Sequence, residues 1–151
     1  MQKVLENVKS THKRAVEIEN GDVRRYAEAI FATDPIHNDL NAAKKAGFTG
    51  LVAPPTFCAS LGVANHSEIL AELELNPRQV LHSEQQLSEL EQVCSGDVLN
   101  VTSTLVDRYE RATGSTNMGF VIIEDVGTNQ KGKKVFLARR VLAVRGGFPR
   151  R

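Results

Sequence analysis

YAEAIFATDPIHNDLNAAKKAGFTGLVAPPTF, residues 26–57, decides how the rest of the chain is read, and its centre is the turn Asp34-Pro35-Ile36-His37. Val23, Tyr26, Ala27 and Ile30 fall at i, i+3, i+4 and i+7, one apolar stripe on a helix of about three turns. Asn20 reads as its N-cap, with Asp22 complementing the first turn. The helix must end before Asp34, because the residue ahead of a proline avoids the α region. Asn38 or Asp39 can cap the next helix, whose Ala42, Ala43 and Ala46 make a small-residue face, and Gly47 is its C′ residue. Pro55 then opens a third helix, residues 55–64. Phe57, Cys58, Ala59, Leu61 and Val63 make it apolar nearly all round, so it is buried on most sides. Ile69, Leu70 and Leu73 add a further helical turn or two, ending at Asn76-Pro77.

Outside this stretch the texture changes. Residues 1–11 have no periodicity, which leaves open a frayed start or an N-terminal helix, and residues 13–19 alternate as a short edge strand does. After Pro77, turn chemistry recurs at Ser95-Gly96-Asp97, Thr113-Gly114-Ser115 and residues 129–133. Between the turns, Leu99, Val101 and Leu105 alternate with polar neighbours, residues 120–123 are an apolar run, and residues 135–144 are rich in Val, Leu and Phe. These are antiparallel strands joined by hairpins. Residues 80–90 fit a helix about as well as a strand, and their hairpin neighbours decide for a strand. Helices first and strands afterwards give an α+β fold, with helices on one face of an antiparallel sheet. No repeat or linker divides the chain, so residues 1–151 read as one domain.

Hydrophobic content of 41% and charged content of 25% are those of a soluble globular protein, and a net charge of +1 gives no field that favours nucleic acid or an acidic membrane. No apolar run reaches the ~18 residues of a membrane span. Cys58 and Cys94 have no metal or redox spacing, and a buried free thiol suits a reducing compartment, so the expected location is the cytoplasm.

The chemistry concentrates at His37. A titratable histidine beside the Asp34 carboxylate, facing the start of a buried helix, is what acid/base work on a small acyl substrate needs. The same residues also read as nothing more than a capped turn, with Asp34 as an Asx cap. Asp39 reads as a helix cap. His12, His66 and His82 have no partner pattern and read as surface or packing residues, and Cys58 as core rather than nucleophile.

With these residues in place the chain resembles the MaoC-like hot-dog family of hydratases and dehydratases. It is nearest to the branch known from N-terminal halves of double hot-dog dehydratases and from small dehydratase subunits. The resemblance covers nearly the whole chain. It rests on Tyr26-Ala27, Pro35-Ile36-His37, Ala42-Ala43 with Ala46-Gly47-Phe48, Leu51-Val52-Ala53-Pro54-Pro55-Thr56-Phe57, Leu81-His82, Gly96-Asp97 and the final strand ending at Arg145. It implies an antiparallel sheet wrapped around one central apolar helix, here residues 55–64, and pairing of two such domains with the active site at their interface. The implied reaction is reversible addition of water to a 2-enoyl thioester, on CoA or acyl-carrier protein, giving the (R)-3-hydroxyacyl product. No cofactor or metal is implied.

The family pairs an Asp with a His in Asp-x4-His spacing, and backbone N–H groups at the start of the central helix hold the thioester oxygen. Here His37 matches, the Asp position is Ala32, and the usual Asn of the motif is Asp34. The oxyanion Gly position is Pro55, which has no N–H to donate, so Thr56 or Phe57 must supply the donor. Three functions follow: a hydro-lyase using His37 with Asp34; a non-catalytic acyl-binding subunit that stabilises a catalytic hot-dog partner; and, less well supported, an acyl-CoA thioesterase. Either a homodimer or a hot-dog heterodimer is expected.

Overall fold

Alternating apolar residues after Pro77 are realised as four long strands, β3 (Val80–Glu89), β4 (Val98–Thr113), β5 (Thr116–Thr128) and β6 (Lys134–Arg145). The computed structural model describes residues 3–4 and 9–149. Ahead of β3 come the short strands β1 (Lys3–Val4) and β2 (Thr11–Glu17), and the helices α1 (Asn20–Ala29), α2 (Leu40–Lys45) and α3 (Val63–Glu72). Three 3-10 turns, Pro35–His37, Phe57–Ser60 and Pro77–Gln79, stand between them.

All strand pairings are antiparallel, with β4, β5, β6 and β3 side by side and both β1 and β2 laid along the other edge of β4. Bulges at Leu105/Asp107 and His82/Glu84 bend the sheet. At Gly127 a Cβ would collide with the ring of Phe136, its β6 partner, so the glycine lets that ring lie flat on the sheet. The sheet wraps α3 and the turns before it. This is the hot-dog fold, α+β with an antiparallel sheet around a central helix.

Several local expectations shift. Lys3–Val4 is a strand, paired with Glu110 and Tyr109, rather than part of a helix; residues 1–2 and 5–8 lie outside the described residues. Helix α1 begins one residue early, with Glu19 at the N-cap and Asn20 already helical. The larger correction concerns the central helix. Residues 55–64 are not one helix: Phe57–Ser60 is a 3-10 turn, and the α-helix runs Val63–Glu72, absorbing most of the separate turn expected after it. The carbonyls that a regular helix would use are taken elsewhere. Phe57 O accepts from Ser60 Oγ at 2.7 Å, and Ala59 O accepts from the Arg140 guanidinium at 2.6 Å.

The inner face of the sheet carries two apolar clusters. One gathers Ile18, Leu51, Phe57, Leu99, Val101 and Phe136; the other gathers Ile69, Leu105, Val121, Ile123, Leu142 and Val144. Between them lies a band of polar residues. Ser103 follows Val101 on β4, Asp125 follows Ile123 on β5, and Arg140 follows Ala138 on β6, each at an inward position of its strand's alternation.

Candidate active site

Helix α1 leads into the site through a left-handed Phe31 (φ 57°), whose ring is 89% exposed. Such a backbone costs a bulky residue about 1–2 kcal/mol. It turns the chain so that the Ala32 N–H reaches back to Ala27 O at 2.8 Å and the Pro35–His37 turn can form. Asp34 caps that turn, its Oδ1 accepting from Ile36 N–H at 3.1 Å. Asp39, not Asn38, caps α2 through Asn41 and Ala42 N–H. Asn38 instead donates its side-chain amide to Ala32 O at 3.4 Å, and its own carbonyl accepts from Arg24 Nε.

His37 is 9% exposed, and its Nδ1 lies 2.6 Å from Val52 O. A carbonyl can only accept, so Nδ1 carries the proton, and Nε2 keeps a lone pair. The backbone repeats the tie, since Val52 N–H donates to Ile36 O at 3.0 Å. The Val52 segment is itself sewn down: it bridges to Cys94, Ala53 N–H donates to Val93 O, and Leu51 and Ser95 exchange hydrogen bonds of 2.8 Å. A Cβ on Gly50 would strike Ser95, so only glycine admits this close approach. His37 is thereby oriented by a rigid backbone.

Four residues after Val52 the chain reaches Thr56. Pro54 is buried, Pro55 is exposed and has no N–H, and Phe57 N–H donates to Pro54 O at 2.9 Å. Of the two candidate donors, Phe57 is therefore occupied, while the Thr56 N–H makes no hydrogen bond among the described residues. Thr56 Oγ1 accepts from Tyr26 OH at 2.8 Å, and the Tyr26 ring meets the Phe57 ring edge-on at 5.3 Å. The donor is a lone N–H on a short turn, since the α3 terminus with its dipole begins only at Val63. Against this turn lies an open cleft of about 400 Å³, floored by Val16, Ile18, Tyr26, Phe57 and Leu61 and edged by Asp22 and Arg25.

The structure thus brings His37 to Val52, and Thr56 to Tyr26. Asp34 shares a turn with His37, but among the described residues no hydrogen bond joins the two side chains. No group of three or more metal-ligating side chains converges among the described residues. Cys58 is core as expected; burial, with the Glu89 charge adding to it, pushes its thiol up to about 12.

A second polar constellation was not foreseen. His66, buried on α3, contacts the Asp125 carboxylate through Nε2 at 2.7 and 3.0 Å, while its Nδ1 lies 3.0 Å from Arg140. A guanidinium only donates, so Nδ1 accepts and Nε2–H faces Asp125. Arg140 also donates from Nε to Gln85 Oε1 at 2.8 Å and to Ala59 O. Burial lowers the Arg140 pKa from its ordinary value, and the Asp125 charge opposes that shift. The signal was available: an Asp at the inward register of β5 and an Arg at that of β6 require partners. Likewise His12, on β2, sits between the α3 carboxylates of Glu68 (2.6 Å) and Glu72 (2.8 Å).

The family described as FAS1-like, dehydratase domain region, matches residues 8–138. A UPF0336 protein of Saccharopolyspora erythraea is 32% identical over 134 residues, which cover 87% of this chain and 83% of that protein. Among solved structures, the C-terminally truncated HadBC (3R-hydroxyacyl-ACP dehydratase) complex of Mycobacterium tuberculosis superposes with a TM-score of 0.76. It has 20% identity and covers 90% of this chain and 94% of that one. The unliganded R-hydratase PhaJ1 of Pseudomonas aeruginosa gives 0.70 at 20% identity, over 95% of this chain and 87% of that one. At these identities the superpositions establish the fold.

Proposed function

The chain belongs to the family of the FAS1-like dehydratase domain region, and on that premise we propose that it is an (R)-specific 2-enoyl-thioester hydratase, or 3-hydroxyacyl-thioester dehydratase. The observation that carries this reading is the tautomer of His37: with Nδ1–H held by Val52 O, Nε2 is a base aimed away from its anchor. In the hydration direction, Nε2 takes a proton from water and the water oxygen bonds to C3 of the enoyl group. Electron density moves to the thioester oxygen, to which the Thr56 N–H donates. The His37 imidazolium then passes the proton taken from water through the Asp34 carboxylate to C2, which leaves both side chains as they began. Tyr26 and Phe57 hold Thr56 in place, Pro55 shapes the approach, and the adjoining apolar cleft takes the acyl chain.

The substrate is an acyl thioester of CoA or acyl-carrier protein. Residues 1–151 act as one hot-dog domain in the cytoplasm, and the domain pairs with a second one, identical or related, through its sheet. Among the described residues β3 pairs with β6 alone, and such an open edge favours pairing. No helix among the described residues is long and apolar enough to cross a membrane.

A second reading, a non-catalytic subunit that binds acyl chains and stabilises a catalytic partner, is favoured by two observations. Ala32 replaces the family carboxylate, and of the donors near Pro55 only Thr56 is free. The purified chain alone, given crotonyl-CoA and longer 2-enoyl-CoAs, separates the readings. Loss of the enoyl absorbance supports the hydratase; inactivity alone with activity restored by a second hot-dog subunit supports the silent subunit; release of free CoA supports thioester hydrolysis.

A further inference from the structure

We infer that Arg140 is a positioning residue: it holds the Thr56–Ser60 turn, and with it the Thr56 N–H, in register against the sheet, its own place being fixed by Asp125 acting through His66. Three elements meet at its side chain, and a fourth is reached through His66. The guanidinium reaches Gln85 on β3 through Nε, His66 on α3 through one terminal nitrogen and the Ala59 carbonyl through the other. Asp125 on β5 receives the His66 Nε2–H. A cation, a neutral imidazole and a carboxylate thus run in a chain from the turn to the middle of the sheet.

The surroundings are cut to admit this chain. A Cβ on Gly62 would lie 2.7 Å from both Asp125 Oδ2 and His66 Nε2, so only glycine leaves the chain its space. Asp125 and Arg140 occupy inward registers, between Ile123 and Gly127 on β5 and between Ala138 and Leu142 on β6, where apolar side chains would continue the core. A chain of inward-facing polar and charged groups gives little net stability compared with apolar residues of similar volume, and a role in fixing a single arrangement accounts for its presence. The element it fixes is the break in the central helix. Ala59 O is tied to Arg140 while Ala59 N–H donates to Thr56 O at 3.1 Å, so one residue links the guanidinium to the donor turn.

The consequence for catalysis rests on the hydratase reading; the positioning itself does not, and amide exchange tests it without turnover. Phe57, Ala59 and Leu61 N–H close the turn by bonds to Pro54 O, Thr56 O and Cys58 O, while Val101 and Val121 report on the sheet. In Arg140→Met these turn amides are expected to exchange about tenfold faster or more, with the sheet amides unchanged. Arg140→Lys, which keeps the charge but offers one donor centre, should fall between. In an active enzyme kcat per folded molecule should drop roughly 10²-fold with KM little changed. Unchanged turn exchange in a folded Arg140→Met overturns the assignment. So does failure of both variants to fold, which would make Arg140 a residue of global stability. A wild type without hydratase activity but with the expected exchange pattern removes the proposed function and leaves the positioning role standing.

Discussion

The His37 ring and the Val52 carbonyl are joined by a 2.6 Å hydrogen bond across fifteen residues of sequence, and that bond decides which ring nitrogen can act as a base. Because Val52 is itself bridged to Cys94 and followed by Ala53 bonded to Val93, the proposed base is tied to backbone anchored on the connection between β3 and β4, although it lies in a turn. Pro54, Pro55 and Thr56 continue the same backbone, so the base and the candidate oxyanion donor share one anchored segment.

Asp34 has one role in the structure and a second, separable one in the proposed reaction. Its Oδ1 caps the His37 turn, which an asparagine side chain can also do, while only a carboxyl can relay a proton. Asp34→Asn should therefore keep the melting temperature of the wild type and lose activity nearly as fully as removal of His37. Asp34→Ala should lose activity and in addition about 1 kcal/mol of stability with the cap. An Asp34→Asn enzyme with normal turnover would assign the second proton transfer to water or to a residue of the paired domain.

Thr56 contributes a backbone N–H, which a side-chain substitution leaves intact. Thr56→Pro removes that donor and is expected to lower kcat by roughly 10²–10³-fold; because Thr56 (φ −88°, ψ 0°) is the third residue of the Pro54–Phe57 turn, where proline is disfavoured, the rate is compared on protein whose melting matches that of wild type. Thr56→Val keeps the N–H and gives up only the hydrogen bond from Tyr26 OH. It should leave most of the rate. Equal losses in the two variants would place the hydroxyl, not the N–H, on the reaction path.

Cys58 makes stability sensitive to alkali. Burial raises its thiol from the ordinary 9.0 to about 12, so the folded state holds a proton that the unfolded chain releases first. The contribution is complete below pH 9 and is lost as pH rises towards 12, at up to about 1.4 kcal/mol per pH unit. Denaturant titrations between pH 8 and pH 11 (values chosen to bracket roughly the ordinary thiol range) should show wild type declining more steeply than Cys58→Ala. Parallel curves would mean that the thiol ionises in the folded protein as readily as in the unfolded one.

Much of this arrangement is legible from local sequence. The Gly47 and Gly96 turns, the end of α1 before Pro35 and the alternation of Leu99, Val101 and Leu105 each carry their own signal, and the strands and short helices follow them. His37 and the cap at Asp34 are legible for the same reason, since proline and Asx chemistry act within three or four residues. The break in the central helix is not, because it depends on Arg140, which lies 81 residues from Ala59. His66 carries no local mark of its partner either; Asp125 is 59 residues away and becomes a neighbour only when β5 passes under α3. Phe57 resembled a free donor because nothing local says that its N–H closes a turn onto Pro54.

Whether His37 is the base of an enoyl-thioester hydratase is decided by the rate of crotonyl-CoA hydration by wild type and by His37→Ala, with circular dichroism and thermal melting recorded on both. A measurable wild-type rate is expected, with a loss of roughly 10²–10⁴-fold in His37→Ala and the fold retained. A folded His37→Ala protein that hydrates crotonyl-CoA at the wild-type rate would contradict that role for His37.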